Sequence, residues 1–285
     1  MVGRMSAVSD MSVMVKGDSI KLVQQEPFYI YGTGFVARRL YDGLIHRDGI
    51  ENLVGFVVTE LSENEKHELF GKQIQAIADI PRTSLILVAV HMIWETEVAR
   101  TLHHLGFQRF VMTYDHLLEF QFGNPIVITK EISVSSHVHQ LAKEDHDGYV
   151  LMAYLASIRK YMHGISGTDE YYLKYHEAIA SSKAAQGRLQ RFHSLLDAYE
   201  TEGARKLLHY PICLDENGHV LDGMHRLTIA YAFHVPFFTA NIYETHDYWG
   251  LGYEMGFCRR THDEIFTSSQ MHEMDAMRED LLQGE

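Results

Sequence analysis

The stretch "GHVLDGMHRLTIAYAF", residues 218–233, decides how the second half of the chain is read. A short apolar strand, His219 to Leu221, runs directly into Asp222-Gly223. A helix, Met224 to Phe233, then opens with an imidazole and a guanidinium in its first turn. The start of a helix carries amides without intrahelical partners and the positive end of the helix dipole, so it favours an anion. Gly223 frees the backbone for a tight turn, and His225 and Arg226 supply charge-assisted donors beside the open amides. The expected ligand is a phosphate. Asp222 has two readings: it holds a metal or accepts a hydroxyl proton, or it caps the helix, as aspartate commonly does.

The flanking residues extend this into a domain. Upstream, Arg188 to Thr201 is an amphipathic helix with Leu189, Phe192, Leu195, Leu196 and Tyr199 facing inward, and Gly203 near its end. Pro211 to Leu214 reads as a strand, and Asp215-Glu-Asn217-Gly218 has hairpin-turn chemistry. Downstream come Pro236 and a last strand, Phe237 to Tyr243. The tail from Glu244 is aromatic, then acidic and helical, with its final residues expected to fray. Trp249, Tyr253 and Phe257 either dock the tail or make a homodimer contact. This domain spans residues 188–270.

The first half alternates strand and helix. Phe28 to Tyr31, Leu53 to Thr59, Ser84 to Val90 and Phe110 to Met112 read as strands; Phe35 to His46 and Glu95 to Leu105 read as helices. Strands separated in this way imply crossovers and a parallel sheet over residues 25–118. Gly32-Thr33-Gly34-Phe35-Val36-Ala37 follows the first strand and opens a helix, the G-x-G-x-x-A pattern whose glycines let a phosphate approach the backbone. Gly32, Thr33, Gly34 and Phe35 are therefore candidate nucleotide-binding residues; close helix–strand packing is the other explanation of the glycines. NAD is the lesser reading. Glu60, the acid that would grip a ribose, lies 26 residues beyond Gly34, where about 20 is usual.

Residues 119–187 read as a mainly helical connector, dense in Tyr, Met, Lys and His, as in "GYVLMAYLASIRKYMHG". His137 and His139 would share one strand face, but no third metal ligand is identifiable. Tyr154, Tyr161, Tyr171, Tyr172 and Tyr175 have helical spacing and read as core rather than as a sugar platform.

Bulk properties exclude several classes. The net charge of −13 disfavours nucleic acid and anionic membranes. The longest apolar run, Leu85 to Val90, is far too short to span a bilayer. Two cysteines, Cys213 and Cys258, make no disulfide framework, and no secretory segment is evident. A soluble, reduced, cytoplasmic protein is expected, with no nucleic-acid partner and no membrane insertion.

Two resemblances add to this. "YIYGTGFVARRL", "GFVV" and "FGKQIQAIADIP" leading into "SLILVAVH" resemble the N-terminal Rossmann-like domain of sugar acyltransferases in surface-polysaccharide pathways, which implies nucleotide-sugar binding. The acyltransferase's β-helix repeats are absent, so only binding is implied. The helix, "YPICLDENGHVLDGMHRLTIAYAF" and the final strand resemble the ParB/sulfiredoxin fold, whose Gly-x-His-Arg turn binds nucleotide phosphates. Sulfiredoxins need a cysteine where Met224 stands, and the DNA-partitioning branch needs a basic surface. The free-serine-kinase branch carries Asp-Gly-x-His-Arg, which Asp222 to Arg226 match.

The expected fold is thus α/β, with a Rossmann-like domain, a helical connector and a ParB/sulfiredoxin-like α+β domain. The expected activity is a kinase-like phosphotransferase using ATP or ADP with Mg2+ and acting on a small hydroxyl compound or sugar in polysaccharide biosynthesis. Asp222 and His225 would be catalytic, Gly223, His225 and Arg226 would hold phosphate, and Asp222 the metal. A further base would come from Asp197, Glu200 or Glu202. The alternatives are a non-catalytic nucleotide or nucleotide-sugar sensor or scaffold, and an NAD-dependent sugar-modifying enzyme.

Overall fold

A computed structural model describes residues 18–46, 49–61, 67–163, 167–179, 182–203, 210–245 and 262–283. The chain is mixed α/β and divides into two compact units between Gly123 and Asn124. Among the described residues no helix is long and apolar enough to cross a membrane.

The first unit begins with α1 (Asp18–Gln25), β1 (Phe28–Tyr31), α2 (Phe35–His46) and β2 (Leu53–Val58). A small hairpin, β3 (Glu68–Leu69) and β4 (Lys72–Ala76), precedes β5 (Leu85–Val88), α3 (Met92–His104), β6 (Phe110–Met112) and α4 (Leu117–Phe122). The sheet order is β3-β4-β2-β1-β5-β6, parallel throughout except for β3. All four residues of β5 are buried, as expected of a central parallel strand covered on both faces. The chain order reverses across the β1/β5 pair, and ligands of open parallel sheets bind outside the strand ends at such a switch point.

The second unit holds β7 (Val127–Ser133), α5 (Val134–Lys143), α6 (Asp145–His163), α7 (Glu170–Ile179) and α8 (Ser182–Glu202). Then follow β8 (Ile212–Asp215), β9 (Val220–Asp222), α9 (Met224–Ala232), β10 (Phe237–Tyr243), α10 (His262–Ile265) and α11 (Ser268–Gln283). Its sheet runs β7-β10-β8-β9. β8 and β9 form an antiparallel hairpin, and β10 returns parallel to β8 after α9. α6 is the axis of this unit: Tyr149 to Ile158 are all buried, and α5, α7, α9 and α11 pack on it. A helix apolar on all sides belongs in the centre of a core. The buried hydroxyls of that run all find partners: Ser157 donates to Asp169 Oδ1 at 2.6 Å, Tyr149 donates to Asp275 Oδ1 at 2.8 Å, and Tyr154 meets His176 Nε2 at 3.0 Å.

Three expectations change. The helices of 134–179, read as a connector, supply much of the second unit's core, with Leu151, Met152 and Tyr172 fully buried beside Leu227 and Ile229. His137 and His139 stand on α5, not on a strand. Ser133 caps that helix by accepting from the Ser136 amide, which ends β7. The C-terminal helix is docked rather than frayed, for Met274 and Leu281 are buried and Arg278 Nε donates to Ala142 O at 3.0 Å. Trp249, Tyr253, Phe257 and Cys258 lie outside the described residues, as does the segment preceding Asp18.

Candidate functional site

In the first unit the turn after β1 lies against the end of β5. Gly32 has φ +110°, its amide donates to Val57 O at 2.8 Å, and a Cβ there would sit 2.8 Å from Ala89 O. Only glycine suits that backbone. Gly34 differs: nothing lies within 4 Å of its would-be Cβ. Ala37 is fully buried, so the third small position serves helix–strand contact. The geometry gives each position of the G-x-G-x-x-A pattern a separate task and leaves open space at Gly34, in front of the first turn of α2. Thr33 is half-buried, Phe35 is exposed, and Glu60 is exposed beyond β2.

In the second unit Gly223 is the N-cap of α9, with φ +107° and no side chain bonding to the free amides. Asp222 therefore does not cap. Its carboxylate is 67% exposed and pairs with Arg226 Nη2 at 3.1 Å. Arg226 Nη1 donates to Tyr210 O at 2.5 Å and to Pro211 O at 3.3 Å, fastening the segment before β8 to α9. A Cβ at Gly223 would lie 3.0 Å from Arg226 Nη2 and 3.1 Å from Ile212 Cγ1. With the positive φ, Gly223→Ala is expected to cost about 1–3 kcal/mol. A thermal melt of that variant matching wild type would contradict this geometry.

His225 points into a shell of rings. Its centroid lies 4.7 Å from Phe192, 5.0 Å from Tyr154 and 5.8 Å from Tyr172. Its Nε2 meets the Tyr172 hydroxyl at 2.6 Å. Burial, then the charges of Arg188, Arg191 and Arg226, push its pKa down to about 3. The imidazole is thus neutral near pH 7, and the charge expected of it falls to the arginines instead. His176 lies beside it, also held well below the ordinary histidine range by burial and by Arg188, His225 and Arg191. Its Nδ1 meets Arg188 Nη1 at 3.0 Å and its Nε2 the Tyr154 hydroxyl at 3.0 Å.

Arg188, Arg191, Tyr154, Tyr172 and His176 were not among the candidate residues. Tyr154, Tyr172 and His176 pack against His225 from α6 and α7, and Arg188 and Arg191 act on it by their charge from α8, helices that the sequence pattern assigned to packing. Of the candidate bases, Asp197 accepts from Tyr161, while Glu200 and Glu202 are exposed farther along α8. Nine residues of helix put Asp197 about 13 Å along the axis from Arg188. Among the described residues no group of three or more His, Cys, Asp or Glu is placed to hold a metal. Magnesium arriving with a nucleotide needs only one or two carboxylates besides phosphate oxygens, and Asp222 offers one.

Comparison of the chain with protein-family models, with curated proteins and with solved structures finds no match.

Proposed function

We propose that the second unit binds a nucleotide through its phosphates at the start of α9 and transfers a phosphoryl group to a small hydroxyl compound or sugar. The observation that carries this reading is the grouping of Arg188, Arg191 and Arg226 around a neutral His225 at an uncapped helix start, in a chain of net charge −13. Arg226 already pairs with Asp222, and a phosphate would add a second anion for these cations beside the free amides of the helix start. The order of hairpin, α9 and parallel return strand accords with the resemblance to the ParB/sulfiredoxin fold.

Phosphoryl transfer relies mainly on positioning and charge neutralisation. The α9 amides and the arginines would hold the phosphates of ATP or ADP. The exposed Asp222 carboxylate would accept the acceptor's hydroxyl proton as its oxygen bonds to phosphorus and the nucleotide's bridging oxygen departs. In the alternative role, Asp222 would hold magnesium together with the phosphates and supply charge neutralisation instead of taking the proton. Incubation with ATP or ADP and a panel of small alcohols, serine and sugars, followed by 31P NMR, tests this. Asp222→Asn should lower transfer by about 100-fold or more while nucleotide binding persists. Equal turnover in Asp222→Asn would remove that role.

A second reading, binding without turnover, is favoured by the existing pairing of Asp222 with Arg226 and of Asp197 with Tyr161. Tight nucleotide binding with no product from any acceptor would select it. For the first unit the open space at Gly34 supports binding of a nucleotide or nucleotide sugar, which is what would tie the protein to polysaccharide synthesis.

A further inference from the structure

The hydrogen-bond directions around His225 follow from what each partner is able to donate. Tyr172 is fully buried, at 0% exposure, and among the described residues its hydroxyl has one partner, His225 Nε2. Burial holds this phenol well above its ordinary pKa, so it keeps its proton. If the hydroxyl accepted from Nε2–H, its own hydrogen would lie in the core without an acceptor, which is costly. It therefore donates to Nε2, and the single proton of the neutral His225 ring sits on Nδ1.

A second chain of bonds lies alongside. Arg188 faces Nδ1 of His176, and a guanidinium can only donate. Nδ1 of His176 therefore accepts, its ring proton is on Nε2, and Nε2–H donates to the Tyr154 oxygen. That leaves the Tyr154 hydrogen unused in a side chain only 5% exposed. Two neighbouring histidines are thus held as opposite tautomers. Two donors remain, the Nδ1–H of His225 and the Tyr154 hydroxyl, on rings whose centres are 5.0 Å apart. Among the described residues neither has a protein acceptor.

We infer that His225 Nδ1–H and the Tyr154 hydroxyl are the neutral hydrogen-bond donors this site gives its ligand, and that His225 binds the ligand rather than transferring a proton. The inference rests on the phosphate-site reading above and narrows it. A group seated against surplus donors must be rich in acceptors, as the non-bridging oxygens of a phosphoryl group are; a hydroxyl or amine there would bring a hydrogen with nowhere to go. Tyr172 and His176 are positioning residues that set the two tautomers.

Long-range 1H–15N correlation spectra of protein carrying 15N-labelled imidazoles test this, with inorganic pyrophosphate as the probe. Ligand-free, His225 should show a protonated Nδ1 and an unprotonated Nε2 from pH 5 to 8, with His176 the reverse. Pyrophosphate should shift His225 Nδ1 more than Nε2. Tyr172→Phe should populate the Nε2–H tautomer of His225 and weaken pyrophosphate by about tenfold. A protonated Nε2 in wild type, titration of His225 near pH 6.5, or an unchanged tautomer in Tyr172→Phe would each overturn the inference. If Tyr172→Phe does not fold, the wild-type spectrum alone decides the tautomers. Pyrophosphate that binds without moving His225 Nδ1 overturns the ligand contact. Absence of any pyrophosphate binding overturns the phosphate-site reading and the contact together, while the ligand-free spectrum still decides the tautomers separately.

Discussion

Acidification from pH 6.5 to pH 5 is expected to destabilise the protein steeply. His137, His176 and His225 are all held below the ordinary histidine pKa. Burial is the leading cause in each, joined by His219 for His137 and by arginines for the other two. His137 is lowered to about 4 and His225 to about 3. Below about pH 6.5 the unfolded chain takes a proton at each site and the folded chain does not. The unfolded state then binds more protons, so stability rises with pH and falls on acidification. Three such groups give a slope of about 4 kcal/mol per pH unit until the folded pKa values are reached. His219 is shifted the other way: burial opposes its charge, but its bond to Asp215 prevails. A raised pKa of this kind adds stability below its folded pKa, and the gain is complete by about pH 6.5. His219 therefore does not offset the loss at lower pH. Calorimetric melts at pH 7, 6 and 5 should fall by on the order of 10 °C or more across this range. A flat melting temperature would mean that these histidines charge freely in the folded protein.

Gly32→Ala is expected to damage the first unit severely, whereas Gly34→Val should spare it. At Gly32 the added carbon meets a backbone carbonyl, Ala89 O, at 2.8 Å, and the φ of +110° is one that alanine resists. Neither β1 nor β5 is free to give way, because both are central strands bonded on each side. Strain of this kind costs about 1–3 kcal/mol, and displacement of the strand ends would add to it. At Gly34 the would-be Cβ has no neighbour within 4 Å, so a side chain would fill the space a ligand would use. Circular dichroism melts and binding of a UDP-sugar distinguish the two: one variant should lose structure, the other only affinity. Normal stability in Gly32→Ala would contradict the close approach of the turn to β5.

The first unit was the more legible because its parallel strands are unbroken apolar runs. Leu85 to Val88 are buried on both faces, as are Phe28 to Tyr31 apart from the half-buried Tyr29, and that burial is written into the apolar side chains. The β3–β4 hairpin escaped notice because a polar edge such as Lys72 to Ala76 buries one residue in five. In the second unit the turn at 222–226 was visible as a local pattern of acid, glycine and two donors. Its surroundings were not. His225 meets Tyr172 across 53 residues of chain, and such a contact leaves no periodic mark in the sequence. Arg188 entered only as the first residue of an amphipathic helix, and His176 was one of nineteen histidines. The tyrosines of α6 and α7 followed core spacing correctly, since Tyr154, Tyr171 and Tyr172 are buried. Spacing could not reveal that two of their hydroxyls bond the neighbouring imidazoles.

The most direct test of the phosphate site is calorimetric titration of the full chain with ATP, ADP and CTP in the presence of magnesium, repeated on Arg191→Ala and Gly34→Val. Arg191 is an exposed side chain of α8 whose charge acts on His225, so its removal should leave the fold intact. The phosphate site predicts a nucleotide whose affinity falls at least about tenfold in Arg191→Ala, the scale of one charged hydrogen bond, and is unchanged in Gly34→Val. Binding that ignores Arg191→Ala but vanishes in Gly34→Val would move the nucleotide to the first unit, and no binding of any nucleotide would leave the arginines around His225 without the role proposed for them.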